Sequence, residues 1–184
     1  MATPQEDLEQ ATALVAKVYP GADCLPAAAL TVEIGIRLGY ELDARPVSMF
    51  AVTPDGDSVA TGHLGREFGG QFLRGHGATD VAVGGLFTGG TIFQQRAGHM
   101  IVRSEEHRLL LDPTFSQFVQ LGAAATPLFI SKSDALAGGR YWESKDSSLY
   151  VRYFAADDFM ELDFDQTRVA AHAKADEIAN HIRR

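Results

Sequence analysis

A single cysteine in a chain of 184 residues leaves one thiol nucleophile, Cys24, so any partners it has must come from elsewhere in the sequence. The stretch "GHMIVRSEEHRLLLDPTFSQF", residues 98 to 118, offers them, because His99 and Asp112 stand at the outer ends of two apolar runs. Ser104, Glu105, Glu106 and His107 make a polar break between those runs, as hairpin connections do. Pairing Arg103 with Arg108 sets His99 opposite Asp112. Period-two alternation then puts Met100, Val102, Leu109 and Leu111 on one face. His99, Ile101, Arg103, Arg108, Leu110 and Asp112 fall on the other. A slip by one residue would set the face of His99 against the aliphatic one. Directly opposed residues have Cβ atoms about 4.5–5.5 Å apart, within reach of a histidine–carboxylate hydrogen bond. Pro113 biases Asp112 towards an extended backbone. A histidine held by a carboxylate is half of several nucleophilic devices, and Cys24 is the other half available here.

Cys24 heads a segment with the marks of a helix start. Asp23 is a good N-cap, Pro26 is tolerated in a first turn, and "LPAAALTVEIGIRLGY" runs to a stop at Gly39. Leu25, Ala28, Leu30, Val32, Ile34, Ile36 and Leu38 cover most of the circumference, which predicts a central, buried helix. Unpaired backbone N–H groups and the helix dipole at such a start favour a thiolate over a thiol. The same N–H groups can stabilise the oxyanion formed when sulfur attacks a carbonyl. The competing fate of a lone cysteine is that of a small buried hydrophobe.

A helix-start Cys, a strand His and an Asp on the adjacent strand occur here in that chain order. In this, "DCLPAAALTVEIGIRLGYELDARPV" and "GHMIVRSEEHRLLLDPTFSQF" resemble the transglutaminase-like branch of the papain-fold cysteine enzymes, over about residues 22 to 118. The resemblance implies an α+β, papain-like fold with Cys24 at the start of a central helix packed on an antiparallel sheet. It implies Cys24 as nucleophile, His99 as general base and acid, and Asp112 as the group that orients His99. The chemistry implied is acyl transfer through a thioacyl intermediate, with a peptidase or amidase acting on a peptide or protein amide as the leading form. An amine acceptor would make it a transglutaminase or acyltransferase. Loss of the chemistry would leave an inactive binding module of the same fold. Neither a cofactor nor a metal enters this chemistry. Two departures stand out: Leu25 and Met100 occupy positions where members often carry an aromatic residue, and no glutamine lies six residues before Cys24. The second oxyanion donor is therefore unidentified in the sequence.

The elements that must position these groups read as helices, then strands, then a helix, an α+β order within one domain of residues 1–184. "QEDLEQATALVAKVY" places Leu8, Ala11, Leu14, Val15 and Val18 at helical spacing and stops before Pro20 and Gly21. "ARPVSMFAV" reads as a strand ending at the turn "TPDGD". Residues 61 to 98 are glycine-rich, with short strands expected around "DVAVGGLF" and "TIFQQ". "PLFIS" and "SLYVRYFA" are further strands, the second alternating Leu149, Val151 and Tyr153 with Tyr150, Arg152 and Phe154, so its aromatics are read as core. "DQTRVAAHAKADEIANHIRR" is a C-terminal helix whose Val169, His172 or Ala173, Asp176 and Ile178 spread too widely for a strong stripe.

Composition narrows the partners. An apolar content of 46% suits a core that needs no staples, and one cysteine excludes an internal disulfide or a cysteine-rich zinc site. A net charge of −8 disfavours nucleic acid or an anionic membrane as a bulk partner, and no apolar run nears the roughly 20 residues that cross a bilayer. The start "MATPQEDLEQ" lacks the basic and apolar parts of a signal peptide, so the expected location is cytoplasmic. Rival constellations rank lower. His76 and Asp80 in "RGHGATD" form a second histidine–carboxylate pair, placed in a loop. His63, His107, His172 and His181 lack a carboxylate at a defined offset, and no two histidines make a metal motif. "GGLFTGG" lacks the Lys-Ser/Thr ending of a phosphate loop, and the acidic stretches "ESKDSS" and "AADDFMELDFD" read as solvated edges.

Overall fold

The computed structural model describes residues 2–21, 23–77, 92–126, 128–132, 141–145, 148–156 and 163–184. The chain begins with α1 (Pro4–Val18), whose N-cap Thr3 and Glu6 form a reciprocal capping box, and α2 (Cys24–Leu38), which ends at Gly39 in the left-handed region. There follow β1 (Asp43–Val52), β2 (Ser58–Thr61), α3 (Gly62–Gly75), α4 (Ile92–Arg96), β3 (His99–Ser104) and β4 (Leu109–Asp112). Two 3₁₀ turns (Phe115–Gln117 and Val119–Ala124), β5 (Phe129–Lys132), β6 (Tyr141–Lys145), β7 (Tyr150–Ala155) and α5 (Phe164–Ile182) complete it. The strands form one antiparallel sheet in the order β5-β4-β3-β1-β7-β6, with β2 also paired to β1. Helices pack on this sheet, and the architecture is α+β.

Both faces of β3 and β4 are dry, which is why these two strands are apolar almost throughout. Met100, Val102, Leu109 and Leu111 pack against Ala28, Val32 and Cys24 of α2. Ile101 and Leu110 face the other way, into a cluster with Val47, Met49, Val151, Tyr153, Phe115 and Phe118. The alternation expected of the hairpin therefore holds, but its register is corrected by two residues. Ser104 pairs with Leu109, Arg103 with Leu110 and Val102 with Leu111. Ser104 stays in β3, fully buried, and its Oγ accepts from the His107 N–H at 3.3 Å. The turn is 105–108, closed by Arg108 at a φ of 55° with its N–H donating to the Glu105 carbonyl at 3.2 Å. A slip of two conserves the face of every side chain, so hydrophobic patterning alone does not distinguish the two registers.

The C-terminal helix lies along α2 through Ala171, Ala175 and Ile178, which meet Ala27, Leu30 and Ile34. Val169 is 66% exposed and takes no part in this seam. Small alanines let the helices approach closely without the large apolar residues that mark a stripe. Glu33 of α2 is buried at this seam and takes hydrogen bonds from Arg37 and Arg168. Burial works to raise its pKa, and those two hydrogen bonds together with neighbouring positive charge, chiefly Arg168, outweigh burial and lower it. Two further corrections concern elements. "TIFQQ" contributes to helix α4 and not to a strand, and residues 62–75 form a helix. The start of "ESKDSS" lies in edge strand β6, with Glu143 exposed. "DVAVGGLF" and "GGLFTGG" lie outside the described residues. No helix among the described residues is long and apolar enough to cross a membrane.

Glycine is required where the chain enters β3. Gly98 closes α4, donating its N–H to the Phe93 carbonyl at 2.8 Å, and has a φ of 86°. A Cβ there would stand 2.5 Å from the backbone N of Gly62, at the start of α3. Gly98→Ala thus combines left-handed strain with a backbone clash. It is expected to cost about 2–4 kcal/mol in urea unfolding and to displace the neighbouring His99 ring. An unfolding midpoint equal to that of the native chain would show that this approach can relax.

Candidate functional site

His99 stands at the first position of β3 and Asp112 at the last position of β4. With the observed register carried on, Asp112 lies across from Ile101 and diagonal to His99, not opposite it. The imidazole spans the diagonal: its Nε2–H donates to Asp112 Oδ2 at 2.7 Å. Neither side chain has any exposed surface. Asp112 Oδ2 also accepts from the Tyr153 hydroxyl at 2.9 Å, and its Oδ1 accepts from the Thr114 N–H at 3.1 Å and more weakly from the Thr114 hydroxyl at 3.4 Å. A buried carboxylate is tolerable only when its lone pairs are met in this way. Phe118 packs edge-on against the His99 ring at 5.1 Å between centroids, and Tyr153 lies nearly parallel to it at 6.4 Å.

Cys24 is the first residue of α2 and retains 9% of its surface. Asp23 occupies the N-cap but makes no side-chain cap bond, so the first-turn N–H groups are not capped by its carboxylate. The helix packs on the Met100 face while His99 points to the other. Even so, Cys24 is among the groups that raise the proton affinity of the imidazole. Burial opposes a positive charge on His99. The Asp112 carboxylate, with its hydrogen bond, and then Cys24 outweigh it, and hold the proton affinity of His99 well above that of an ordinary imidazole. Burial and the neighbouring Asp112 likewise push the Tyr153 hydroxyl far above its usual range, so Tyr153 remains a donor.

Nδ1, the remaining ring nitrogen, lies 2.9 Å from Gln117 Nε2, from which it accepts a hydrogen bond when it carries no proton. Gln117 sits in the first 3₁₀ turn and is buried. That turn is tied to the segment before Cys24 by a bond from Ser116 Oγ to the Pro20 carbonyl at 3.2 Å. The structure thus joins His99 to Asp112, lets Cys24 act electrostatically on His99, and adds Thr114, Gln117 and Tyr153. Thr114 had a local signal, because an Asp bonding the N–H two residues on is the usual Asx turn and "DPT" has that form. Gln117 and Tyr153 had none, since one follows an irregular turn and the other lies 41 positions from Asp112.

The rival groups stand elsewhere. His76 ends α3, stacked on Phe72 at 4.3 Å, with Nδ1–H donating to the Phe72 carbonyl at 2.8 Å. It lines a cavity of about 300 Å³ with Val52, Pro54, Leu73 and Tyr150, while Asp80 lies outside the described residues. His63 and His172 do meet carboxylates, contrary to their sequence reading. Residues 62–75 are helical, which brings Glu67 to 3.7 Å from His63, and α5 brings His172 to 3.3 Å from Glu33. Both imidazoles are more than half exposed. Among the described residues, no three His, Cys, Asp or Glu side chains gather to hold a metal. Comparison with protein-family models, curated proteins and solved structures finds no match to this chain.

Proposed function

We propose that this protein is a cysteine-dependent acyl-transfer enzyme of papain-like, transglutaminase-like architecture, acting as a peptidase or amidase on a peptide or protein amide. One observation carries the reading: a buried carboxylate holds Nε2 of an imidazole whose proton affinity Cys24 helps to raise. The chain order of a Cys-headed helix, a His strand and an adjacent Asp strand supports the same architecture. Nδ1 of His99 takes the thiol proton, and sulfur forms a bond to the substrate carbonyl carbon. The tetrahedral oxyanion is met by N–H groups at the start of α2. Collapse breaks the carbon–nitrogen bond, and the leaving amine takes the proton back from Nδ1. Water, deprotonated at Nδ1, then releases the acid and restores the thiol; an amine in its place would give transfer.

Burial favours a second reading, in which the same fold serves as a binding module with Cys24 packed as a hydrophobe. His99 and Asp112 have no exposure and Cys24 has little. Iodoacetamide separates the two. Under the enzyme reading, mass spectrometry finds Cys24 alkylated in the native protein near pH 7. Modification that begins only in denaturing urea would leave the binding module.

A further inference from the structure

The hydrogen bonds around His99 form a closed circuit. His99 Nε2–H donates to Asp112 Oδ2, the Thr114 hydroxyl donates to Asp112 Oδ1, and Gln117 Nε2 reaches both Thr114 Oγ1, at 3.5 Å, and His99 Nδ1, at 2.9 Å. A carboxylate only accepts, so the Thr114 hydroxyl spends its single hydrogen on Asp112 and can only accept from Gln117. The Gln117 atom that reaches it is therefore the amide nitrogen. That same nitrogen contacts Nδ1, so this bond is made only in the ring form whose Nδ1 keeps its lone pair free of a proton. The lone pair is also the only one on the ring able to take the proton of Cys24.

Resting on the acyl-transfer reading, we propose that Gln117 is a positioning residue that sets the proton distribution between Cys24 and His99. By donating to Nδ1 it stabilises neutral imidazole beside neutral thiol, and it must let go before the thiolate–imidazolium pair forms. Asp112 and Gln117 act on opposite nitrogens in opposite senses. Asp112 draws a proton onto the ring, and Gln117 favours the form without it, since a hydrogen bond to the neutral form disfavours the charged one. Anchored by Ser116 to the Pro20 carbonyl, the 3₁₀ turn links this amide to the chain just before Cys24. Movement of that turn withdraws Gln117 from Nδ1 and arms the thiol.

The test uses Gln117→Met, which keeps length and volume and removes the amide. Alkylation of Cys24 by iodoacetamide is followed against pH, and the proton uptake of His99 Nδ1 is followed by ¹⁵N resonance. Losing one neutral hydrogen bond should raise the alkylation rate near pH 6 about five-fold, with the rate at high pH little changed. It should also move Nδ1 proton uptake to higher pH. Identical curves would overturn the proposal and make Gln117 a packing residue. A shift the other way would also overturn it, by showing that Gln117 accepts from Nδ1–H. Where native wild-type Cys24 does not alkylate, the acyl-transfer reading fails, and the ¹⁵N titration still decides whether Gln117 governs Nδ1. Gln117→Asn, which draws the amide back by one methylene, replaces Q117M if that variant lacks native circular dichroism, and should behave as Q117M does.

Discussion

Asp112→Asn is expected to cut acyl transfer by about four orders of magnitude, the loss that follows when the orienting carboxylate of a serine triad becomes an amide. The direction follows from the four hydrogen bonds that Asp112 accepts. An amide has one oxygen, and the Thr114 N–H, fixed in the backbone at 3.1 Å from Oδ1, claims it. The NH₂ end then takes the place of Oδ2, facing the His99 Nε2–H and the Tyr153 hydroxyl. Two donors cannot share that contact. His99 changes tautomer, gives up the Nε2 proton and carries one on Nδ1, where it can no longer accept from Cys24. The side chain is nearly isosteric and Tyr153 can turn its hydroxyl away, so the native circular dichroism spectrum should survive. Acyl-enzyme formation, followed by intact mass with an activated ester, measures the effect, and a rate equal to that of wild type would remove Asp112 from the mechanism.

His99→Ala is expected to be the most destabilising change in the site, by about 3–5 kcal/mol in urea unfolding near pH 6, because it leaves the buried carboxylate of Asp112 without its charged partner. Its pH dependence has a definite sign. The folded-state proton affinity of His99 is raised, by Asp112 and Cys24 against burial, above the value of about 6.5 in an unfolded chain. Stability from that proton is fully present below about pH 6.5 and is lost as pH rises through the raised folded value. The wild type should therefore lose stability on the alkaline side, and the gap between wild type and His99→Ala should narrow from pH 6 to pH 10. Groups that do not interact with His99 titrate alike in both proteins and cancel in the difference. A gap constant across that range would mean that no proton on His99 is linked to folding.

Much of the scaffold was legible because its signals are local. Pro20 and Gly21 end α1, Gly39 ends α2, and the apolar circumference of α2 announces its central place. What failed to read had signals that local patterning does not carry. Gly62, Gly65 and Gly69 of α3 looked like a glycine-rich loop, yet their missing side chains let the helix lie directly on β1, where a Cβ at Gly65 would stand 2.2 Å from the Met49 carbonyl oxygen. Propensity counts glycine against a helix, and close backbone approach overrides it. The hairpin register failed for a different reason, since a slip of two leaves every face unchanged and only the conformation of Arg108 and the burial of Ser104 choose between the alternatives.

The sequence by itself determined the helix that Cys24 heads and the shared sheet face of His99 and Asp112, because both follow from periodicities of 3.6 and 2 residues acting over short segments. The tertiary structure alone decided which atoms those groups meet. Tyr153 arrives at Asp112 from the far side of β1, through the pairing of β1 with β7. Gln117 reaches Nδ1 because an irregular turn folds back over the end of β3. Cys24 acts on His99 from the helix layer packed on the other face of the sheet. Each of these contacts joins segments with no periodic relation to one another, and only the packing of helix, sheet and turn into one core fixes their separation.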